Sequence, residues 1–173
     1  MCAVLAAFAV LAQISLPPPP SAIDTTLNQL EALFASHGEH HELGADGGAL
    51  QRYRLVRRGG CEARIEYTMS HWSRGERTDK VGSFAFHFGA FSTRNGGAQR
   101  RPSTLVARTP GGVESITVTE RITTSGPGGE VSRTESRRAS FVMARFTDEA
   151  PFDRILGLWW RAEKLCGSRP TAD

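Results

Sequence analysis

The sequence predicts an α+β domain: an N-terminal helix, an antiparallel meander of five or six strands, and a C-terminal helix packed on the sheet. Two amphipathic stripes at helical spacing lie near the ends of the chain, and runs of alternating polarity separated by Gly-rich turns lie between them. A length of 173 residues suits one domain with its own core. We therefore expect both helices to cover one face of a curved sheet.

The first helix is predicted to begin after Ser21, which can cap the helix together with Asp24 at the third helical position. Gly38 is predicted to end the helix in the left-handed conformation. Between these ends, the apolar side chains that share one helical face are Ile23, Leu27, Leu30 and Phe34.

The clearest strand begins at Cys61, because every second residue from there is apolar and the residues between are polar. A strand over 51–58 precedes it, joined by a predicted Gly59-Gly60 hairpin turn. The Phe-rich run 80–91 is predicted to form a central strand that is apolar on both faces. Residues 103–108 are expected to pair with 113–124, which in turn pair with a long strand over 131–146.

A C-terminal helix is predicted from about residue 150, and its apolar stripe ends in Cys166. Cys61 belongs to the apolar face of its strand, so both cysteines point toward the same interior and are predicted to form a disulfide. In the chain-entropy model, closing a loop of roughly 100 residues stabilises a fold by about 4.7 kcal/mol. Trp160 points about 100° away from Trp159 around the helix and is therefore a candidate contact residue.

The N-terminal residues 1–16 are apolar apart from Gln13 and Ser15, and the run is shorter than a membrane-spanning helix. It is typical of the apolar region of a signal peptide, here without a basic start. We therefore expect residues 1–22 to be a truncated signal peptide with a Pro-rich linker, and 23–173 to be the single domain. Removal of Cys2 would leave an even cysteine pair, as expected for a secreted or periplasmic protein.

The run AEKLCG, residues 162–167, ends the predicted helix, and the partner cysteine lies in an early strand of the meander. In these two cysteine elements the chain resembles small exported bacterial domains of unknown function whose terminal helix ends in Leu-Cys-Gly. The resemblance covers little else of the chain. It implies the disulfide, the α+β layout and export, and it implies no activity.

The charge distribution bears on the class of partner. The formal net charge is only +3 although the chain has 21 cationic residues, so no nucleic-acid partner is expected. Arg doublets occur along the chain, and Arg137 and Arg138 are candidate contacts for an anionic ligand. The alternative is that these arginines only keep the surface soluble.

The stretch HGEHHELG concentrates three histidines, and it raises the question of a metal site. His37, His40 and His41 could supply imidazole ligands to a divalent cation. However, the stretch is polar and Gly-rich, and a second pair of ligands at metal-site spacing is missing. A solvated polar loop over 39–49 is therefore the favoured interpretation.

The sequence has none of the nucleophile-elbow, zinc-protease, P-loop or dinucleotide-binding motifs. We expect a non-enzymatic, exported binding or structural module without a cofactor, whose partner is an unknown protein or envelope component. One alternative is a small carrier of an apolar, lipid-like ligand, and a second is a metal-dependent enzyme using the histidines. The side chains that would enclose the carrier's cavity are Phe84, Phe86, Phe88, Phe141, Trp159 and Trp160.

Overall fold

The computed structural model describes residues 21–91, 97–101, 104–147, 149 and 151–167, with the backbone alone for 97–101. The predicted signal peptide therefore lies outside the described residues, apart from its last two positions. Helix α1 is Ala22–His37 and helix α2 is Phe152–Gly167. The strands are β1 Glu39–Gly44, β2 Gly47–Gly59, β3 Glu62–Ser73, β4 Glu76–His87, β5 Gly97–Arg101, β6 Thr104–Arg108, β7 Ile116–Gly126, β8 Gly129–Ala139 and β9 Phe141–Arg145.

Six of these strands form one antiparallel sheet in the order β1-β2-β3-β4-β7-β8. The predicted α+β architecture, with a helix at each end of a six-stranded sheet, is confirmed. The remaining strands form a second sheet in the order β5-β6-β9. The predicted pairing of 103–108 with 113–124 is wrong, because β6 pairs with β5 and β9. The long strand predicted over 131–146 is divided at Ser140, where the chain bends and passes from one sheet to the other.

The hairpin between β2 and β3 confirms the predicted alternation. Tyr53 and Leu55 face Tyr67 and Ile65 directly, and all four side chains are buried. The turn lies one residue later than predicted, because Gly59 still pairs with Glu62 after a register shift. Gly59 has a φ of 114°, a conformation that glycine adopts without strain. The glycine at this position therefore permits the register shift.

The predicted loop over 39–49 is wrong, because its first half is strand β1, which pairs with β2 at one edge of the sheet. Gly38, the residue between α1 and β1, has a φ of −75°, so it does not adopt the predicted left-handed conformation. A glycine is nevertheless required there, since a Cβ would overlap the carbonyl oxygens of Phe34 and Tyr53.

The Phe-rich strand β4 is central but is apolar on one face only, in contrast to the prediction. Phe86 is buried, whereas Ala85 and His87 on the opposite face are exposed. The strand ends at His87, and Phe88 enters the core from a short 3₁₀ helix, Phe88–Ala90. The reason is that the helices cover only the inner face of the sheet, so the outer face remains open.

Both helices pack their predicted stripes into one core on the inner face. Leu27, Leu30 and Phe34 of α1 are fully buried, as are the apolar residues of α2 around Trp159. The capping box at Ser21 is present, and the hydrogen bond from its hydroxyl lowers the pKa of Asp24. Among the described residues, no helix is long and apolar enough to cross a bilayer.

The predicted disulfide between Cys61 and Cys166 is present, with Cα atoms 5.7 Å apart. It connects the turn between β2 and β3 to the last turn of α2, across 105 positions of sequence. The bond therefore fixes the C-terminal helix to the hairpin formed by β2 and β3.

Candidate functional site

The outer face of the six-stranded sheet, opposite the core, carries a groove of about 830 Å³, the larger of two concavities described here. The groove extends from the C-terminal turn of α1, across β2, β3, β4 and β7, to Thr134 of β8. The residues that line it include four arginines, three glutamates and several with hydroxyl side chains. The arginines are Arg52, Arg54, Arg64 and Arg121.

The strand register places these side chains in rows across the groove. In one row Arg54 lies opposite Glu66, which is followed by Ser83 and Thr119 on the next two strands. In the adjacent row, three strand spacings separate Arg52 from Arg121. At about 4.8 Å per spacing, arginines on β2 and β7 are on the order of 15 Å apart at the backbone. The cations are therefore spread along the groove and do not converge on one point.

Two of the four arginines have a carboxylate partner. Nε of Arg52 donates to Oε2 of Glu39 over 2.8 Å, and this hydrogen bond is the main cause of the lowered pKa of Glu39. Arg64 forms an ion pair with Glu66. In contrast, the guanidinium groups of Arg54 and Arg121 form no side-chain hydrogen bond or ion pair with the residues that the structure describes. These two groups are available to an anion in the groove.

The three histidines of the HGEHHELG stretch do not come together as ligands of a metal site, which was the alternative to the favoured polar loop. His37 ends α1, while His40 and His41 are consecutive in β1 and point to opposite faces of the sheet. Nε2 of His41 instead contacts the carboxylate of Glu39. In the described ranges, no group of three or more His, Cys, Asp or Glu residues is arranged to hold a metal ion.

The predicted contact residues on β8 are also separated. Arg137 lies 3.9 Å from Oε1 of Glu120 on the inner side, whereas Arg138 donates to the carbonyl oxygen of Glu114 and to the hydroxyl of Thr117. The doublet therefore does not act as one anion site. Trp160 is 43% exposed on α2 while Trp159 is fully buried, so its role as a contact residue stays a prediction.

Three of the aromatic residues expected to enclose a carrier cavity, Phe86, Phe88 and Trp159, fill the core instead. Phe84 is partly buried, and Phe141 and Trp160 are exposed. The ring of Trp159 packs against Phe86, Phe88 and Phe91, with centroid distances between 4.9 and 5.7 Å. The indole N–H of Trp159 donates to the buried carboxylate of Glu163 over 2.8 Å. The space between α2 and the sheet is therefore occupied by packed side chains.

A second, smaller cavity of about 210 Å³ lies between the inner face of the sheet and β9. Among the residues that line it are Glu120 and Lys80, which the sequence analysis missed. The strand alternation in the sequence could have predicted this orientation. Glu120 is an even number of residues from Ile116 and Val118, and Lys80 is an even number from Phe84 and Phe86, so each points to the same face as those apolar side chains.

Comparisons with known protein families, with curated proteins and with solved structures find no match for this chain. The resemblance of the AEKLCG end to exported bacterial domains thus stays a prediction. The fold and the groove define a small, disulfide-stabilised α+β domain with one open, arginine-bearing sheet face.

Proposed function

We propose that this protein is an exported, non-enzymatic binding module whose outer groove takes an extended acidic saccharide of the cell envelope. The observation that carries the proposal is a pair of arginines, Arg54 and Arg121, that line the groove of about 830 Å³ and form no side-chain hydrogen bond or ion pair with the described residues. A guanidinium group offers a planar set of donors that matches a carboxylate or a phosphate in two parallel hydrogen bonds. An anionic ligand thus complements the groove without displacing an existing ion pair.

The separation of the cations favours an extended ligand with spaced charges. A single compact anion needs donors that converge within hydrogen-bond distance, whereas Arg54 and Arg121 stand on β2 and β7, with two strands between them. An acidic oligosaccharide carries one carboxylate per unit or per few units along its length. Such a ligand can reach both arginines in one bound pose.

The remaining surface of the groove is suited to sugar hydroxyls. Thr68, Ser83, Thr119 and Thr134 present hydroxyl groups that both donate and accept hydrogen bonds. Val81, at 48% exposure in the middle of the floor, offers a small apolar contact for the C–H face of a sugar ring. The groove is open along its length, as an entering chain requires.

Export is supported by two features of different kinds. The apolar residues 1–16 carry the composition of a signal peptide, and the Cys61–Cys166 disulfide is a bond that persists in oxidising compartments. A secreted or periplasmic domain would meet envelope saccharides directly.

The test is a calorimetric titration with hexagalacturonate, an acidic oligosaccharide, and with maltohexaose, a neutral one of equal length. We expect saturable binding of hexagalacturonate that weakens with added salt, because surface charge pairs are screened. The double variant Arg54→Gln/Arg121→Gln is expected to weaken this binding by at least about tenfold, since a charge-assisted hydrogen bond contributes about 1.5 kcal/mol or more.

The matched control is Arg154→Gln/Arg161→Gln, which removes the same charge from the exposed side of α2. It is expected to leave binding within about twofold of the parent protein. If both double variants lose the same affinity for hexagalacturonate, the binding depends only on the net charge of the protein, which would contradict the proposal. Absence of hexagalacturonate binding, or equal binding of maltohexaose, would also contradict it.

A further inference from the structure

We propose that the inner cavity, the 210 Å³ space between the inner face of the sheet and β9, is a second binding site. Its ligand class is a small monocarboxylate with an apolar body, of about the size of benzoate. Tyr53, Tyr67 and Glu120 border both this cavity and the outer groove, whereas Lys80 and Met69 lie on the face of the sheet opposite Arg54 and Arg121. The proposal rests on Lys80 and the apolar lining and does not depend on the function proposed for the groove.

The walls of the cavity are largely apolar, and their residues come from six strands, β2, β3, β4, β7, β8 and β9. Met69 and Phe84 project from β3 and β4, and Phe141 and Met143 project from β9 on the other side. Methionine side chains adapt their shape to an apolar guest. Phe141 is 38% exposed, and the guanidinium carbon of Arg108 lies 5.3 Å from its ring centroid. The apolar lining thus continues to the surface at Phe141.

The charged side chains that line the cavity are two cations, Lys80 and Arg137, and one anion, Glu120. Glu120 already has two neighbours: the hydroxyl of Tyr67 donates to its Oε2 over 3.0 Å, and Nε of Arg137 is 3.9 Å from its Oε1. The hydroxyl of Tyr53 donates to the side-chain oxygen of Gln51 over 2.7 Å. The ammonium group of Lys80 forms no hydrogen bond or ion pair with any residue that the structure describes.

Lys80 therefore supplies the charge that a ligand would balance. Its neighbours across the sheet are Met69 on β3 and Ile122 on β7, both apolar, so a partner for the ammonium group does not come from its own row. A monocarboxylate placed against Lys80 would bring the cavity to equal numbers of cations and anions. Its apolar body would then contact Met69, Phe84 and Met143.

The volume limits the ligand to a small molecule. About 210 Å³ corresponds to roughly seven water molecules at about 30 Å³ each. A single aromatic ring with a carboxylate fits this space, whereas a long acyl chain does not. The lipid-like ligand of the alternative carrier hypothesis is thereby replaced, for this cavity, by a short apolar acid.

The composition of the chain offers a direct probe of the cavity. The chain has three methionines, and two of them, Met69 and Met143, line it. The third is Met1, in the segment predicted to be removed. Methyl NMR of protein labelled at the methionine methyl groups therefore reports on ligand entry almost without background.

The experiment is a titration of the labelled protein with benzoate and, separately, with benzyl alcohol, a neutral molecule of similar shape. We expect benzoate to shift both methyl signals saturably and to bind at least about tenfold more tightly than benzyl alcohol. Lys80→Gln should remove this preference for the acid while the alcohol binds as before. The Arg54→Gln/Arg121→Gln variant should bind benzoate normally, which separates this site from the outer groove.

Three outcomes would overturn the proposal. Methyl signals that do not move with benzoate would show that the cavity stays closed to it. Equal affinities for benzoate and benzyl alcohol would show that the carboxylate charge does not contribute to binding. A benzoate affinity that is unchanged in Lys80→Gln, with both methyl signals still in their folded positions, would exclude Lys80 as the carboxylate partner.

Discussion

Tyr67 on β3 donates a hydrogen bond to Glu120 on β7 across the intervening strand β4. The contact passes over Gly82, which lies directly opposite both residues in the register. A Cβ at Gly82 would lie 2.6 Å from the Tyr67 hydroxyl oxygen and 2.7 Å from the carbonyl oxygen of Thr119. The absence of a side chain on β4 thus permits a buried polar contact between two strands that are not neighbours.

The first prediction concerns the contribution of this hydrogen bond to the free energy of unfolding. Tyr67→Phe would leave Oε2 of the 8%-exposed Glu120 without its donor, and we expect a loss of about 1.5–3 kcal/mol in the free energy of unfolding. Tyr53→Phe is the control, because its hydroxyl donates to a neutral amide and its loss should cost about 1 kcal/mol. Urea denaturation measures both, and a smaller loss for Tyr67→Phe would contradict the contact.

The second prediction compares two glycine-to-alanine substitutions. Gly82→Ala should destabilise the protein by about 1–3 kcal/mol, because the new methyl group displaces Tyr67 and strains β4. Gly157→Ala, on the exposed side of α2 with open space around it, should stabilise the protein by about 0.8–1.0 kcal/mol through helix propensity. Thermal unfolding of the two variants should shift in opposite directions. A neutral Gly82→Ala would mean that Tyr67 does not lie over this position.

The third prediction is a loss of stability at alkaline pH. Burial raises the pKa of Tyr53 to about 12, and burial together with the nearby Glu120 also raises the pKa of Tyr67. In the unfolded chain both phenols ionise near pH 10. Between about pH 10 and 12 the unfolded state therefore releases protons that the folded state retains, so stability is full below pH 10 and falls above it, by up to about 1.4 kcal/mol per pH unit for each phenol.

These two residues are the only tyrosines of the chain, so phenolate absorbance reports on them alone. We expect their ionisation in the folded protein to begin above the ordinary phenol range and to coincide with unfolding. In the double variant Tyr53→Phe/Tyr67→Phe, the free energy of unfolding should no longer show this contribution to its fall above pH 10. If the free energy of unfolding falls as steeply with pH in that variant as in the parent protein, groups other than the two tyrosines cause the loss of stability.

The fourth prediction concerns the Cys61–Cys166 disulfide. It closes a loop across 105 positions, and its removal should cost about 2–5 kcal/mol of stability. Reductant should lower the urea midpoint of the parent protein and leave Cys61→Ser/Cys166→Ser unchanged. Equal midpoints with and without reductant in the parent protein would contradict a stabilising role for the bond.

Local sequence patterns predicted the elements that depend on local periodicity. The alternation around Ile65 and the helical stripe around Trp159 each point to one buried face, so the sheet, both helices and the disulfide follow from them. Glu120 and Lys80 could have been placed on the inner face by the same alternation. Only the three-dimensional structure, however, shows the ion pair of Glu120 with Arg137 and the cavity beside Glu120 and Lys80.

The pairings that were wrongly predicted depend on contacts between distant parts of the chain. Strand β1 is polar and contains glycine, and it forms because β2 offers an open edge to which it can pair. Strands β6 and β9 pair because Leu105 and Ala107 meet Ala144 and Val142 in the core. The separation of the groove arginines across the sheet follows only from the register.

The most direct test of the account is mass spectrometry of the protein recovered from the exported fraction of a secreting host. The account predicts a missing N-terminal segment, an oxidised Cys61–Cys166 pair and, under native conditions, an acidic saccharide that the Arg54→Gln/Arg121→Gln variant no longer retains. A protein that keeps residues 1–16, titrates with free thiols at Cys61 and Cys166, and carries no such mass would contradict export and binding together.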